Sequence, residues 1–247
     1  MAESVAARRG RAAKILARLR EAYPGAGIEL RFSSPLELLV ATILSAQCTD
    51  ERVNAVTAGL FTRYRTAADY ARAEPSQLER EIHSTGFFRA KARALVSMGK
   101  ALEERHGGQV PTTAEELVSL PGVGRKTANV VLGNAFDTPA LAVDTHVFRV
   151  SQRLGLANAD DAEVIHDQLC QVVARPQWTE ATHLLIIHGR RTCVARNPAC
   201  PRCSVLALCP WAGKPVDTRP APRSATRRTG PRTRTRTRGN RNAKSRK

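Results

Sequence analysis

The chain is poor in aromatic residues, 4% of 247 against a hydrophobic content of 42%. Any core must therefore be built mainly from leucine, valine, isoleucine and alanine. No run of about eighteen apolar residues exists, the length a membrane-spanning helix requires, so no transmembrane helix is expected. The N-terminus carries arginines but lacks the apolar centre of a signal peptide. Ala2 to Arg20 is rich in arginine and poor in acid, as some mitochondrial transit peptides are. Ile15, Leu16 and Leu19 nevertheless make an apolar stripe, and the stretch is read as a first helix. No segment alternates as an amphipathic strand would, and no repeat of solenoid period is present. Cysteines are too unevenly placed for a disulfide framework. Four of the six crowd into Cys193–Cys209, while Cys48 and Cys170 stand alone in apolar helical patterns. That is the distribution of a metal site in a reducing compartment.

Acidic residues are absent from Arg219 to Lys247, where twelve of the thirty-nine basic residues lie. The other 218 residues carry 27 basic and 22 acidic side chains, so the net charge of +17 mainly describes this tail. The tail is rich in Arg, Thr, Pro, Gly and Asn, with alanine as its one apolar residue type. Such a segment buries too little surface to offset its ordering entropy, and it is predicted to be a disordered basic tail. Tail and body together point to a polyanionic partner.

What is present is helical in period almost throughout. Lys14 to Tyr23 reads as a first helix stopped by Pro24 and Gly25. Ser34-Pro35-Leu36-Glu37 combines an N-cap, a proline at the first helical position and a capping-box glutamate. The helix it opens runs up to Gln47, and Asp50 is expected to cap the next. Further helices are predicted over Pro75–His83 and Phe88–His106, the latter closed by Gly107 and Gly108. Ala140-Leu141-Ala142-Val143 is a short apolar link, and Asp144 is placed to cap Thr145–Leu154. Two more helices are expected over Ala162–Ala174 and Thr179–Gly189.

The central stretch is Leu120-Pro121-Gly122-Val123-Gly124-Arg125-Lys126-Thr127. Thr113 and Glu116 have capping-box spacing before it, and Lys126 to Asn134 reads as a helix after it, with Val130 and Val131 inward. The glycines thus form a tight connection between two helices, able to offer bare backbone N–H groups to a phosphate. Lys126 sits in the first turn of the second helix. The helix N-terminus and Arg125 both disfavour a positive charge there, and a Schiff-base lysine works as its free amine. Asp144 could act beyond capping, as a base or as the partner of a cationic intermediate. His146 and His188 rank as packing or hydrogen-bonding residues. The cysteines read Cys193-x6-Cys200-x2-Cys203-x5-Cys209. By spacing alone, four thiolates suit either a tetrahedral zinc or a [4Fe–4S] cluster. Arg190, Arg191, Arg196 and Arg202 surround them and could solvate the loop or meet phosphates.

These segments together resemble the endonuclease III family of helix–hairpin–helix DNA glycosylase/AP lyases. The resemblance rests on Leu120 to Asn129, on Val143-Asp144-Thr145-His146, and on the cysteine loop in that order. It also takes in Phe32-Ser33-Ser34-Pro35 and Leu44-Ser45-Ala46-Gln47, and it runs from about Ile15 to Trp211. It implies an all-α fold with a six-helix barrel over 33–140 that contains the helix–hairpin–helix. A helical cluster domain, 141–218 joined by the N-terminal helix within 1–32, would hold a [4Fe–4S] cluster on Cys193, Cys200, Cys203 and Cys209. The tail, 219–247, lies outside the pattern. Double-stranded DNA with a damaged base or an abasic site would lie in the cleft between the two parts.

The resemblance implies a bifunctional enzyme of base excision repair that removes oxidised pyrimidines. Lys126 would attack C1′ and form an imine, β-elimination would nick the strand on the 3′ side, and Asp144 would assist. Gln47 would fill the vacated space, with Phe87 as wedge where the family carries leucine. The backbone of Gly122, Val123 and Gly124 would hold one phosphate, and Arg196 another. A monomer in the bacterial cytoplasm, associated with the nucleoid and not with a membrane, is the implied setting. The other readings are a monofunctional glycosylase and a non-catalytic iron–sulfur DNA-binding module.

Overall fold

A computed structural model of the chain describes residues 3–214. The basic tail predicted to be disordered lies outside the described residues. Among those residues the regular structure is entirely helical: α1 Val5–Ala22, α2 Pro35–Leu44, α3 Asp50–Arg63, α4 Ala67–Ala71, α5 Pro75–Ile82 and α6 Phe88–His106. Then come α7 Ala114–Val118, α8 Arg125–Ala135, α9 Thr145–Arg153, α10 Ala162–Val172 and α11 Trp178–Arg191.

The buried apolar residues fall into two clusters. One is built from residues between Leu30 and Ala140. The other joins Ala12, Ile15, Leu16 and Leu19 of α1 to residues between Leu141 and Val205. Helix α2 is the centre of the first cluster. Every residue from Leu38 to Leu44 is buried, which is what a helix apolar on all sides requires. Its start follows the signals in the sequence: Ser34 Oγ accepts from Glu37 N at 3.2 Å and Pro35 takes the first helical position. The Glu37 carboxylate reaches one residue further back than a capping box would, accepting from both N and Oγ of Ser33.

Helix α4 packs on α6 through Gly99. A Cβ at that position would stand 2.6 Å from Ala71 N and 2.8 Å from Ala67 O, both backbone atoms that cannot swing aside. Gly99→Ala is therefore expected to lower stability by on the order of 2 kcal/mol in denaturant unfolding, despite alanine's better helix propensity.

Three local expectations are corrected. Helix α1 begins at Val5 rather than Lys14, because Ser4 caps it and Arg9 and Arg11 tie its first half to the carbonyls of Gln171, Leu154 and Gly155. Helix α2 ends at Leu44, short of Gln47. Helix α3 is capped by Thr49, whose hydroxyl accepts from Arg52 N, and Asp50 instead pairs with Arg190 at 2.8 Å.

Candidate active site and cysteine loop

The hairpin between α7 and α8 is held by its apolar residues. Leu120 and Val123 are buried and Val123 N donates to Leu120 O at 3.1 Å. Gly122 has φ of 79° and packs so closely on α6 that a Cβ would meet that of Ala94 at 2.8 Å. Both constraints call for glycine. Gly124 is the N-cap of α8 and has no side chain to satisfy the helix's first N–H groups. Those donors are left for water or an anion. Lys126 follows in the first turn, exposed, and among the described residues no ion pair or hydrogen bond engages its Nζ. The Arg125 guanidinium pairs with Glu163 at 2.6 Å and lines a different groove with His166, Arg175 and Trp178.

Asp144 reaches the same region from another direction. The apolar link Ala140–Val143 is fastened by Asn129 Nδ2 donating to Leu141 O at 2.8 Å. Thr179 Oγ1 accepts from Ala140 N and Thr182 Oγ1 accepts from Ala142 N. Gly133 lets α8 approach α11 here, since a Cβ would lie 2.6 Å from Thr179 Oγ1. The link ends at Asp144, the N-cap of α9. Its Oδ1 accepts from His146 N at 2.8 Å and Val147 N at 2.7 Å, leaving Oδ2 without a hydrogen-bond partner among the described residues.

Lys126 and Asp144 line one pocket of about 740 Å³, counting the part open to solvent. Its apolar wall includes Ile28, Leu30, Val130, Ile186 and Ile187. Asn134 and His183, joined by a 2.8 Å bond, and the Arg190–Asp50 pair supply polar groups. Burial holds His183 below the ordinary imidazole range. Burial also lowers His146, where Asp144 opposes the shift and Arg149 adds to it. Arg149 donates toward His146 Nδ1 at 3.2 Å, so that nitrogen is an acceptor.

A second groove is lined by Gln47, Phe87, Lys91 and Gly122. Gln47 and Phe87 have left-handed backbones, with φ of 54° and 49°. Phe87 is 64% exposed, whereas its neighbour Phe88 packs on His83 at 4.4 Å between ring centroids. Core packing thus accounts for Phe88 and not for Phe87.

Cys193, Cys200, Cys203 and Cys209 line a third pocket, closed by Leu154, His188, Leu206 and Trp211. All four are free thiols. Burial first, and neighbouring thiols after it, raise Cys200 and Cys203 above the ordinary thiol range. Such a donor set fits a cationic centre that would share the thiolate charge. His188 is buried against this pocket and its pKa is pushed down to about 4, with Tyr23 OH 3.1 Å from its Nδ1. Arg196 is exposed on the loop between the first two cysteines. That loop is gripped by Arg153, which donates to Val194 O and Ala195 O and stacks on Trp211 at 4.2 Å. Neither Arg153 nor Lys91 stands out in the sequence: Arg153 donates to carbonyls 41 and 42 residues away, and one of the two Lys91 acceptors, Leu44 O, is 47 residues away.

Residues 40–176 match the family model described as HhH-GPD superfamily base excision DNA repair protein. Endonuclease III of Synechocystis sp. is 49% identical over 84% of this chain and 95% of its own length. Endonuclease III of Escherichia coli is 43% identical over 81% of this chain and 95% of its own length. A solved structure of a trapped endonuclease III–DNA covalent intermediate superposes with a TM-score of 0.78 at 43% identity, covering 82% of this chain and 95% of that one. A thermostable thymine-DNA glycosylase shares the fold, with a TM-score of 0.74 at 21% identity. The hairpin with its lysine, the capping aspartate in the same pocket and the four-cysteine loop accompany a match along nearly the whole length of these relatives, and the chain belongs to the endonuclease III family of base excision repair DNA glycosylases.

Proposed function

We propose that this chain is a bifunctional DNA glycosylase/AP lyase that removes oxidised pyrimidines from double-stranded DNA. The observation that carries the reading is the meeting of Lys126 and Asp144 in one pocket, with the bare N-terminus of α8 beside it. A damaged nucleotide leaves the stack to reach that pocket. Lys126 Nζ forms a bond to C1′ as the bond from C1′ to the base breaks, and the base departs with a proton. Opening of the sugar ring leaves an imine between Nζ and C1′. Loss of a C2′ proton then expels the 3′ phosphate oxygen and nicks the strand. Asp144 supports the cationic intermediate and takes up protons. The backbone of Gly122, Val123 and Gly124 binds a phosphate, Arg196 binds another, and Gln47 and Phe87 occupy the gap in the duplex.

Cys193, Cys200, Cys203 and Cys209 hold a [4Fe–4S] cluster in this reading. Four cysteines lining one pocket supply the donor set that such a cluster takes. The cluster is a structural staple that fixes the loop carrying Arg196. Residues 33–140 form the barrel domain, and 141–218, described as far as residue 214, form the cluster domain with the N-terminal helix; each has a hydrophobic cluster. One chain supplies every group involved, which suits a monomer.

Borohydride trapping on a duplex oligonucleotide with one thymine glycol tests the reading. A covalent protein–DNA adduct is expected. Base release without an adduct would make the enzyme monofunctional, and neither product would leave a non-catalytic DNA-binding module. Asp144→Asn separates the two roles of that residue. Asparagine caps helices as well as aspartate, so thermal unfolding should change by less than about 1 kcal/mol, while single-turnover excision should fall about 10²–10⁴-fold. A stable variant with wild-type turnover would remove Asp144 from the chemistry.

A further inference from the structure

Lys91, the fourth residue of α6, is only 5% exposed. Its Nζ donates to Leu44 O and to Thr85 O, each at 2.8 Å. Leu44 is the last residue of α2 and stands three residues before Gln47. Thr85 ends the short 3-10 turn His83–Thr85 and stands two residues before Phe87. Both acceptors are carbonyls at the ends of helical segments, where the backbone lacks a continuing partner and a cation is favoured. Among the described residues no other hydrogen bond joins Ser45–Cys48 to His83–Phe87. The remaining bonds, such as Cys48 N to Ser45 O, Ser45 N to Ala41 O and Gly86 N to His83 O, tie each loop to itself or to the helix beside it.

A buried ammonium without a carboxylate is an expensive device. Among the described residues no ion pair involves Lys91, and burial lowers its pKa, with the Cys48 thiol opposing. A methionine could fill the same space without that desolvation cost. The two loops that the ammonium joins also hold the strained residues of this groove. Gln47 and Phe87 both sit at positive φ, a conformation that non-glycine residues keep only where surrounding contacts impose it. Lys91 lines the groove beside them.

We propose that Lys91 is a positioning residue: it clips the loop of Gln47 to the loop of Phe87, so that the two side chains enter the duplex at a fixed spacing as the damaged base leaves. This rests on the function proposed above. Lys91 itself touches neither base nor sugar. Its effect is confined to the step in which the gap in the duplex is filled, and the Lys126 chemistry follows unchanged.

The test compares two substrates with wild type, Lys91→Met and Lys91→Gln. One is a duplex with a single thymine glycol, whose excision needs the gap to be filled. The other is a single-stranded oligonucleotide with a preformed abasic site, which has no gap and reports the lysine chemistry of the folded fraction. Lys91→Met should lose at least tenfold in single-turnover excision from the duplex and less than twofold in cleavage of the single strand. Lys91→Gln, which can keep one of the two bonds, should fall between. Equal losses on both substrates, or a folded Lys91→Gln with wild-type excision, overturn the clip while leaving the enzyme's function intact. A wild type inactive on both substrates overturns the function and the clip with it.

Discussion

Lys126→Ala is expected to abolish the borohydride-trapped adduct and to slow excision by about 10³-fold or more, the scale on which loss of a covalent nucleophile is felt. Nothing else should change much. The side chain is exposed on α8 and unpaired among the described residues, so the fold does not depend on it. Alanine also favours a helix more than lysine does, and stability should stay within about 0.5 kcal/mol. Binding to undamaged duplex should weaken only by the loss of one cation, lowering the salt slope by about one. The phosphate contact assigned to the hairpin uses the backbone of Gly122, Val123 and Gly124, which the variant keeps. An enzyme that lost DNA binding and activity in step would have Lys126 as a phosphate contact rather than a nucleophile.

The second large effect is expected at the cysteine loop. Beyond α11 the described chain is held mostly by short-range turns, such as Cys203 N to Cys200 O and Cys209 N to Leu206 O. Its long-range ties include the buried Val205, the Arg153 grip, the Trp211 stack, Arg149 Nε donating to Cys193 O, and Cys193, Cys203, Leu208 and Cys209 packed on the second cluster. The proposed cluster would tie these pieces together, and structural metal sites contribute about 10 kcal/mol or more to folding. Changing Cys203 to serine should therefore remove the visible absorbance of the cluster and the bound iron and sulfide. It should cost several kcal/mol of stability on that scale and loosen the loop that carries Arg196. The wild type should be brown. A colourless wild type that binds one zinc would replace the cluster with a zinc site.

Much of this architecture can be read from local chemistry. Ser34, Thr113 and Asp144 cap the helices their neighbours predict, and Phe88–His106 with its glycine stop is observed residue for residue. These signals act over three or four residues, so sequence order alone carries them. The corrections come from contacts that sequence order cannot carry. Asp50 leaves the cap to Thr49 because Arg190, 140 residues away, takes its carboxylate. The first half of α1 has no apolar stripe and is held by arginines on distant carbonyls. Helix α4 is five residues long, too short to show a period, and only its Thr66–Asp69 capping box marks it. The site divides in the same way. The hairpin, Asp144 and the cysteines carry recognisable local patterns. That Lys126 and Asp144 share a pocket follows from Asn129, Thr179 and Thr182 fastening the link between them, which no spacing rule conveys.

The central claim is that one named amine forms the bond to the sugar. Digestion of the borohydride-trapped wild-type adduct, followed by mass spectrometric mapping of the peptide that carries the sugar remnant, addresses it directly. The mass increment is expected on Lys126, within the segment from Arg125 to Ala135. An increment on Lys91, on another lysine or on the N-terminal amine would contradict it.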